Sequence, residues 1–186
     1  MRSFLLKAAL GIAISPFFLC SSTKAQGNDN DGCSIATLNG DYAFTVSGQI
    51  FLPTGAIVQR EGVAMTHFDG AGGLTQVDLV ESSPNAPPPS GVSPTDPVTG
   101  FHTHESGTYT VHADCTGTFT VNFHDMTNPT NGESVSDQII VVSFVLSDHG
   151  RAIHTIVTSL IPAGRTTPAN VLIHSEGHKL GSIKRS

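Results

Sequence analysis

Gly40-Asp41-Tyr42-Ala43-Phe44-Thr45-Val46-Ser47-Gly48-Gln49-Ile50 sets Tyr42, Phe44, Val46 and Ile50 against Asp41, Ala43, Thr45, Ser47 and Gln49. A period of two places successive side chains on opposite faces, so this stretch reads as a strand with one buried side. The same pattern returns down the chain. Residues 63–68 and 74–80 flank Asp69-Gly70-Ala71-Gly72-Gly73, and residues 108–112 and 118–124 flank Ala113-Asp114-Cys115-Thr116-Gly117. Residues 138–146 and 151–160 flank Ser147-Asp148-His149-Gly150, and residues 171–174 supply an eighth strand. Each separator has the Asp and Gly chemistry that hairpins require. No apolar stripe repeats every 3.6 residues.

Eight sequential strands joined by hairpins must deal with two open edges. Closure into an up-and-down barrel removes both, and eight strands leave room for side chains or one small ligand. The predicted fold is therefore an all-β, eight-stranded antiparallel barrel, with a two-sheet β-sandwich as the alternative. The inward set is expected to be Tyr42, Phe44, Val46, Tyr109, Val111, Phe119, Val121, Phe123 and Phe144. These residues would line any ligand space, with the Thr, Ser and Asn sets outward.

The chain starts Met1-Arg2-Ser3-Phe4-Leu5-Leu6-Lys7, continues with an apolar run to Cys20, and then reads Ser21-Ser22-Thr23-Lys24-Ala25. That tripartite form is expected of a signal peptide, residues 1–25, cleaved after Ala25 to give a secreted or periplasmic protein. Leu19 directly before Cys20 argues against lipoprotein processing, and no stretch is long enough for a membrane-spanning helix. Residues 26–37 form a polar leader, 38–180 a single barrel domain, and 181–186 a tail. Residues 82–100 carry Pro84, Pro87, Pro88, Pro89, Pro94 and Pro97, which breaks any strand ladder and predicts an exposed loop, either a lid or a plain connection.

The whole chain has 9 Lys and Arg against 15 Asp and Glu, a net charge of −6. Cleavage would remove Arg2, Lys7 and Lys24 and leave −9, which disfavours nucleic acid and anionic surfaces as partners. Loss of Cys20 would leave Cys33 and Cys115. In an oxidising compartment they are expected to form a disulfide, the alternative being two free thiols or one reactive thiol.

The blocks from Gly40 to Gly48, Phe68-Asp69-Gly70-Ala71-Gly72-Gly73-Leu74-Thr75, Gly107-Thr108-Tyr109-Thr110-Val111, Asp114-Cys115-Thr116-Gly117-Thr118 and Phe144-Val145-Leu146-Ser147-Asp148-His149-Gly150-Arg151 resemble those of small exported bacterial proteins. That group is the allene oxide cyclase-like, calycin-like barrels, and the resemblance spans residues 38–160. It implies the barrel and says almost nothing of chemistry. No active-site residue of the plant cyclases matches a position here.

Nine histidines are the compositional oddity. On an unbroken strand His102, His104 and His112 share a face, the weak candidate for a metal site. Their Ser and Thr neighbours predict exposure, and Glu105 falls on the opposite face, so no metal is favoured. His174 and His178 read as polar-face residues, and His154 as a hydrogen-bonded core or rim residue. Glu61, Glu81 and Glu105 are unpaired acids, and Glu61 beside Arg60 reads as an exposed ion pair. No hydrolase elbow and no phosphate cradle is present, and no cofactor is expected.

The expected function is an exported barrel that binds an apolar or amphipathic small molecule, or a structural surface module. The alternatives are a cyclase or isomerase that folds an apolar substrate into a productive conformer, and a metal-binding exported protein. Catalytic residues and oligomeric state are not legible in the chain.

Overall fold

The computed structural model describes residues 32–87 and 89–181. Segment 1–25, the leader through residue 31 and the tail from residue 182 lie outside the described residues. Eight strands close into one antiparallel barrel: β1 (Asn39–Phe51), β2 (Ile57–Asp69), β3 (Gly73–Ser82), β4 (His102–Val111), β5 (Thr116–Phe123), β6 (Gln138–Ser147), β7 (Ala152–Ile161) and β8 (Asn170–Lys179). Each strand pairs with its chain neighbours and β8 returns to β1, where Phe44 faces Gly177 and Val46 faces Ser175. Closure excludes the two-sheet sandwich. Among the described residues no helix is long and apolar enough to cross a membrane.

The hairpins form where Asp can satisfy the turn amides. Asp69 Oδ1 accepts the amides of Ala71 at 2.7 Å and Gly73 at 2.9 Å, while Gly70 and Gly72 take the positive φ that the turn needs. Asp114 does the same for Thr116 between β4 and β5. Beside it, Cys115 is bonded to Cys33 with the Cα atoms 4.9 Å apart, tying the segment before β1 to that turn.

The barrel is plugged at one end. Leu38, Tyr42, Phe68 and Ile153 are fully buried, and the Phe68 ring meets Tyr42 and Tyr109 edge-on at centroid distances of 5.4 and 5.1 Å. The phenol tips find backbone acceptors, so burial strands no donor: Tyr109 Oη donates to Leu38 O at 2.8 Å and Tyr42 Oη to Gly150 O. Phe44 fits only because β8 has no side chain opposite. A Cβ on Gly177 would lie 2.4 Å from the Phe44 ring.

Toward the other end the inward positions of β2 shrink to Gly62, Ala64 and Thr66, and the core opens. A bulge at Thr158 leaves both Val157 and Leu160 facing that space, because Val141 pairs with Ser159 but Val142 with Val157.

A candidate ligand chamber with a carboxylate–imidazole cluster

The open end is a cavity of about 460 Å³. Phe44, Phe119, Val121, Phe123, Val142 and Leu160 supply an apolar wall, and Arg60, Thr66, Gln76, Asp78 and His102 a polar one. Residues from the segments 82–87 and 89–93 border the cavity. Ser83, Pro84, Ala86, Pro87, Pro89, Gly91, Val92 and Ser93 all line it, and Val92 exchanges backbone hydrogen bonds with Thr127 at 2.8 and 3.0 Å. Val92 thus fixes the proline-rich loop beside the cavity. Proline fits there because these residues owe no ladder bonds.

Of the nine residues expected inward, Phe44, Val46, Phe119, Val121 and Phe123 line the cavity. Tyr42, Tyr109 and Phe144 are buried in the plug, and Val111 is half-buried against it. The aromatic set is divided between a floor and a wall.

A bulge in β4 completes the polar wall by adding His102. Gln76 pairs with Glu105, but Asp78 pairs with His102, so Val77 of β3 faces both Thr103 and His104 of β4. His104 absorbs the extra residue at φ 59. The register shift turns His102 inward along with Glu105, which corrects the expectation that the two lie on opposite faces. The interruption falls at His104.

A chain of hydrogen bonds follows. Thr66 Oγ1 donates to Gln76 Oε1 at 2.8 Å, and Gln76 Nε2 donates to Glu105 Oε2 at 3.0 Å. His102 Nδ1 lies 2.8 Å from Asp78 Oδ1. Glu105 is 3% exposed, and its Oε1 has no hydrogen-bond partner. Burial first, and the adjacent Asp78 charge second, push the Glu105 carboxyl up to about 9. The bond to Asp78 raises His102 against the opposing effect of burial. Burial lowers Arg60, partly offset by Asp78 and Glu81, and the guanidinium donates to Ser82 Oγ. Arg60 therefore belongs to the cavity, and the exposed pair with Glu61 is not formed among the described ion pairs.

The three histidines expected to share a face are dispersed. His102 is inside; His104 points outward to Asp125 at 2.7 Å, and His112 is exposed. His154 also corrects the expectation of a core or rim place: it is exposed on the outer face, 3.3 Å from Ser147 Oγ and 3.6 Å from Glu176. His174 and His178 are exposed.

One outer-face array has the order of a nucleophilic triad. Ser106 Oγ lies 2.9 Å from His124 Nε2, and His124 Nδ1 lies 2.8 Å from Asp137 Oδ2. Ser106 nevertheless sits in a strand laddered on both sides, to Thr75 and Asn122, and faces away from the chamber. The neighbouring strand amides are engaged in those ladders and leave no pair of donors for an oxyanion.

Parity alone, applied to β2 and β3, points to the polar wall: Arg60 and Thr66 share the face of Phe68, and Gln76 and Asp78 that of Leu74. His102 carried no such signal, because its direction depends on the bulge.

No family model matches this chain, and no curated protein matches it. Among solved structures it is similar to Rv2717c from M. tuberculosis, with a TM-score of 0.33 and 13% sequence identity over 78% of this chain and 94% of that one.

Proposed function

We propose that the protein is an exported carrier or receptor that holds one apolar or amphipathic small molecule inside the barrel. The observation that carries this reading is the two-sided cavity of about 460 Å³, with aromatic and aliphatic side chains opposite Arg60, Gln76, Asp78 and His102. Ligand sites combine such a largely apolar surface with a few placed polar groups that fix orientation. The apolar part of the molecule lies against Phe44, Phe119 and Val142, and its polar end meets Arg60 and His102. The signal-like segment 1–25 and the Cys33–Cys115 bond support export.

A second reading, a cyclase or isomerase, is favoured by the Asp78–His102 pair at the chamber wall with Glu105 behind it. An oriented imidazole can move a proton at a substrate held by the apolar wall. In that reading the barrel contributes chiefly by confining a reactive conformer.

Mass spectrometry of the natively purified, disulfide-bonded protein tests the proposal. A single co-purifying small molecule, released on denaturation and absent from an Ala64→Leu variant that narrows the cavity, is the expected result. A ligand-free mass that takes up nothing from an amphipathic lipid extract contradicts it.

A further inference from the structure

We propose that Asp78, His102 and Glu105 form a binding site for a divalent first-row transition cation at the edge of the chamber. One ligand atom from each of the three lies within 4.8 Å of the others. A tetrahedral site with bonds of 2.0–2.1 Å needs separations of about 3.3 Å, so short side-chain movements close it.

The buried state of Glu105 is the independent sign of a missing partner. Its residue is 3% exposed, Gln76 donates only to Oε2, and no donor reaches Oε1. An unpartnered buried carboxyl oxygen is costly, and a cation between Asp78 and Glu105 satisfies it in place of a proton. The donor set then selects the ion. An imidazole with two carboxylates suits zinc, iron or manganese, whereas magnesium and calcium prefer all-oxygen shells.

The surroundings hold the ligands in place. Gln76, itself fixed by Thr66, orients Glu105, as outer hydrogen bonds do at built metal sites. Arg60 is the cation facing Asp78 from β2, and Glu81 balances it from β3. Asp78 and His102 also line the cavity, so a fourth position on the ion faces the chamber, where it can polarise an oxygen of a bound molecule. The site stands on β3 and β4 side chains alone and exists whether or not a molecule fills the barrel.

Chelator-stripped, disulfide-bonded protein titrated with cobalt and then zinc provides the test. The expected result is one cobalt per chain with visible d–d absorption, displaced by one zinc. Glu105→Gln and His102→Gln should each weaken the affinity by more than the roughly 10–100-fold that loss of an outer hydrogen-bond partner costs, while His112→Gln and His154→Gln leave it unchanged. Retained cooperative unfolding checks each variant, and the more exposed His102 keeps the test valid should Glu105→Gln fail to fold. No stoichiometric cobalt spectrum, or one that persists in His102→Gln or vanishes in His112→Gln, overturns the site.

Discussion

His102 and Glu105 are three residues apart on β4, yet both side chains turn into the barrel. A regular strand would send them to opposite faces. His104 makes the difference by taking a left-handed backbone (φ 59) opposite Val77, so that Asp78 meets His102 while Gln76 still meets Glu105. The place of His102 in the polar wall depends on that one inserted residue.

The bulge can be tested directly. Glycine adopts positive φ freely, so His104→Gly should change stability by less than about 1 kcal/mol. His104→Val, β-branched at the same position, should destabilise by roughly 1–2 kcal/mol. Deleting residue 104 should restore a regular register and leave His102 facing inward opposite Asp78. Urea denaturation measures the first two, and the pH-dependent imidazole signals of His102 by NMR measure the third. Equal stability of the Gly and Val variants would contradict the assignment.

The division of the interior into floor and wall predicts a contrast between two phenylalanines. Phe68 is fully buried amid Tyr42, Tyr109 and Phe119, so Phe68→Ala should cost about 3–5 kcal/mol and leave binding of an apolar probe nearly unchanged. Phe44 borders the cavity, so Phe44→Ala should cost less and alter probe affinity at least several-fold. Chemical denaturation and fluorescence titration of both variants give the two numbers.

Gly177 carries the complementary prediction. An added methyl group would press on the Phe44 ring at 2.4 Å and on Ile153 at 2.6 Å, both inside the core. Gly177→Ala should therefore destabilise by about 1–3 kcal/mol. The same change at Gly132, which has open space around it but φ 72, should cost roughly 1 kcal/mol from backbone strain alone.

Much of this was legible because period two is a strong code. The alternation around Tyr42 and Phe44, the Asp69-Gly70 and Asp148-His149-Gly150 turns and the Cys33–Cys115 pairing each rest on local chemistry, and the structure has them all. What was hidden lies where parity breaks. His102 needed the inserted His104, and Leu160 needed the one at Thr158. Neither bulge leaves a Gly or Pro marker. Arg60 was hidden for another reason: a charge next to Glu61 reads as surface, and only the continuation of parity to Thr66 and Phe68 places it inside.

Two tyrosines and no tryptophan make the phenols a clean optical probe. Burial pushes Tyr42 up to about 12 and also raises Tyr109. A folded pKa above the unfolded value of 10 means stability that is present below pH 10 and lost as pH rises toward 12. Native protein should show little phenolate absorbance at pH 10, whereas in denaturant both rings should titrate near that value. A native tyrosine titrating normally at pH 10 would contradict the buried phenols of the plug.

The disulfide joins residues 82 positions apart, and in the chain-entropy model its loss costs about 4–5 kcal/mol. A Cys33→Ser/Cys115→Ser protein should unfold at correspondingly lower urea concentration. The oxidised protein, cleaved at the expected position after Ala25, should yield no free thiol on labelling in denaturant.

The chamber itself is tested most directly by titrating the disulfide-bonded protein with an anionic apolar fluorophore such as anilinonaphthalene sulfonate, alongside Ala64→Leu and Arg60→Gln. The account predicts saturable binding of one fluorophore per barrel. Filling the cavity at residue 64 should abolish it, and removing the cation at residue 60 should weaken it, with cooperative unfolding retained in both variants. Binding that fails to saturate, or that survives Ala64→Leu undiminished, would contradict a ligand chamber inside the barrel.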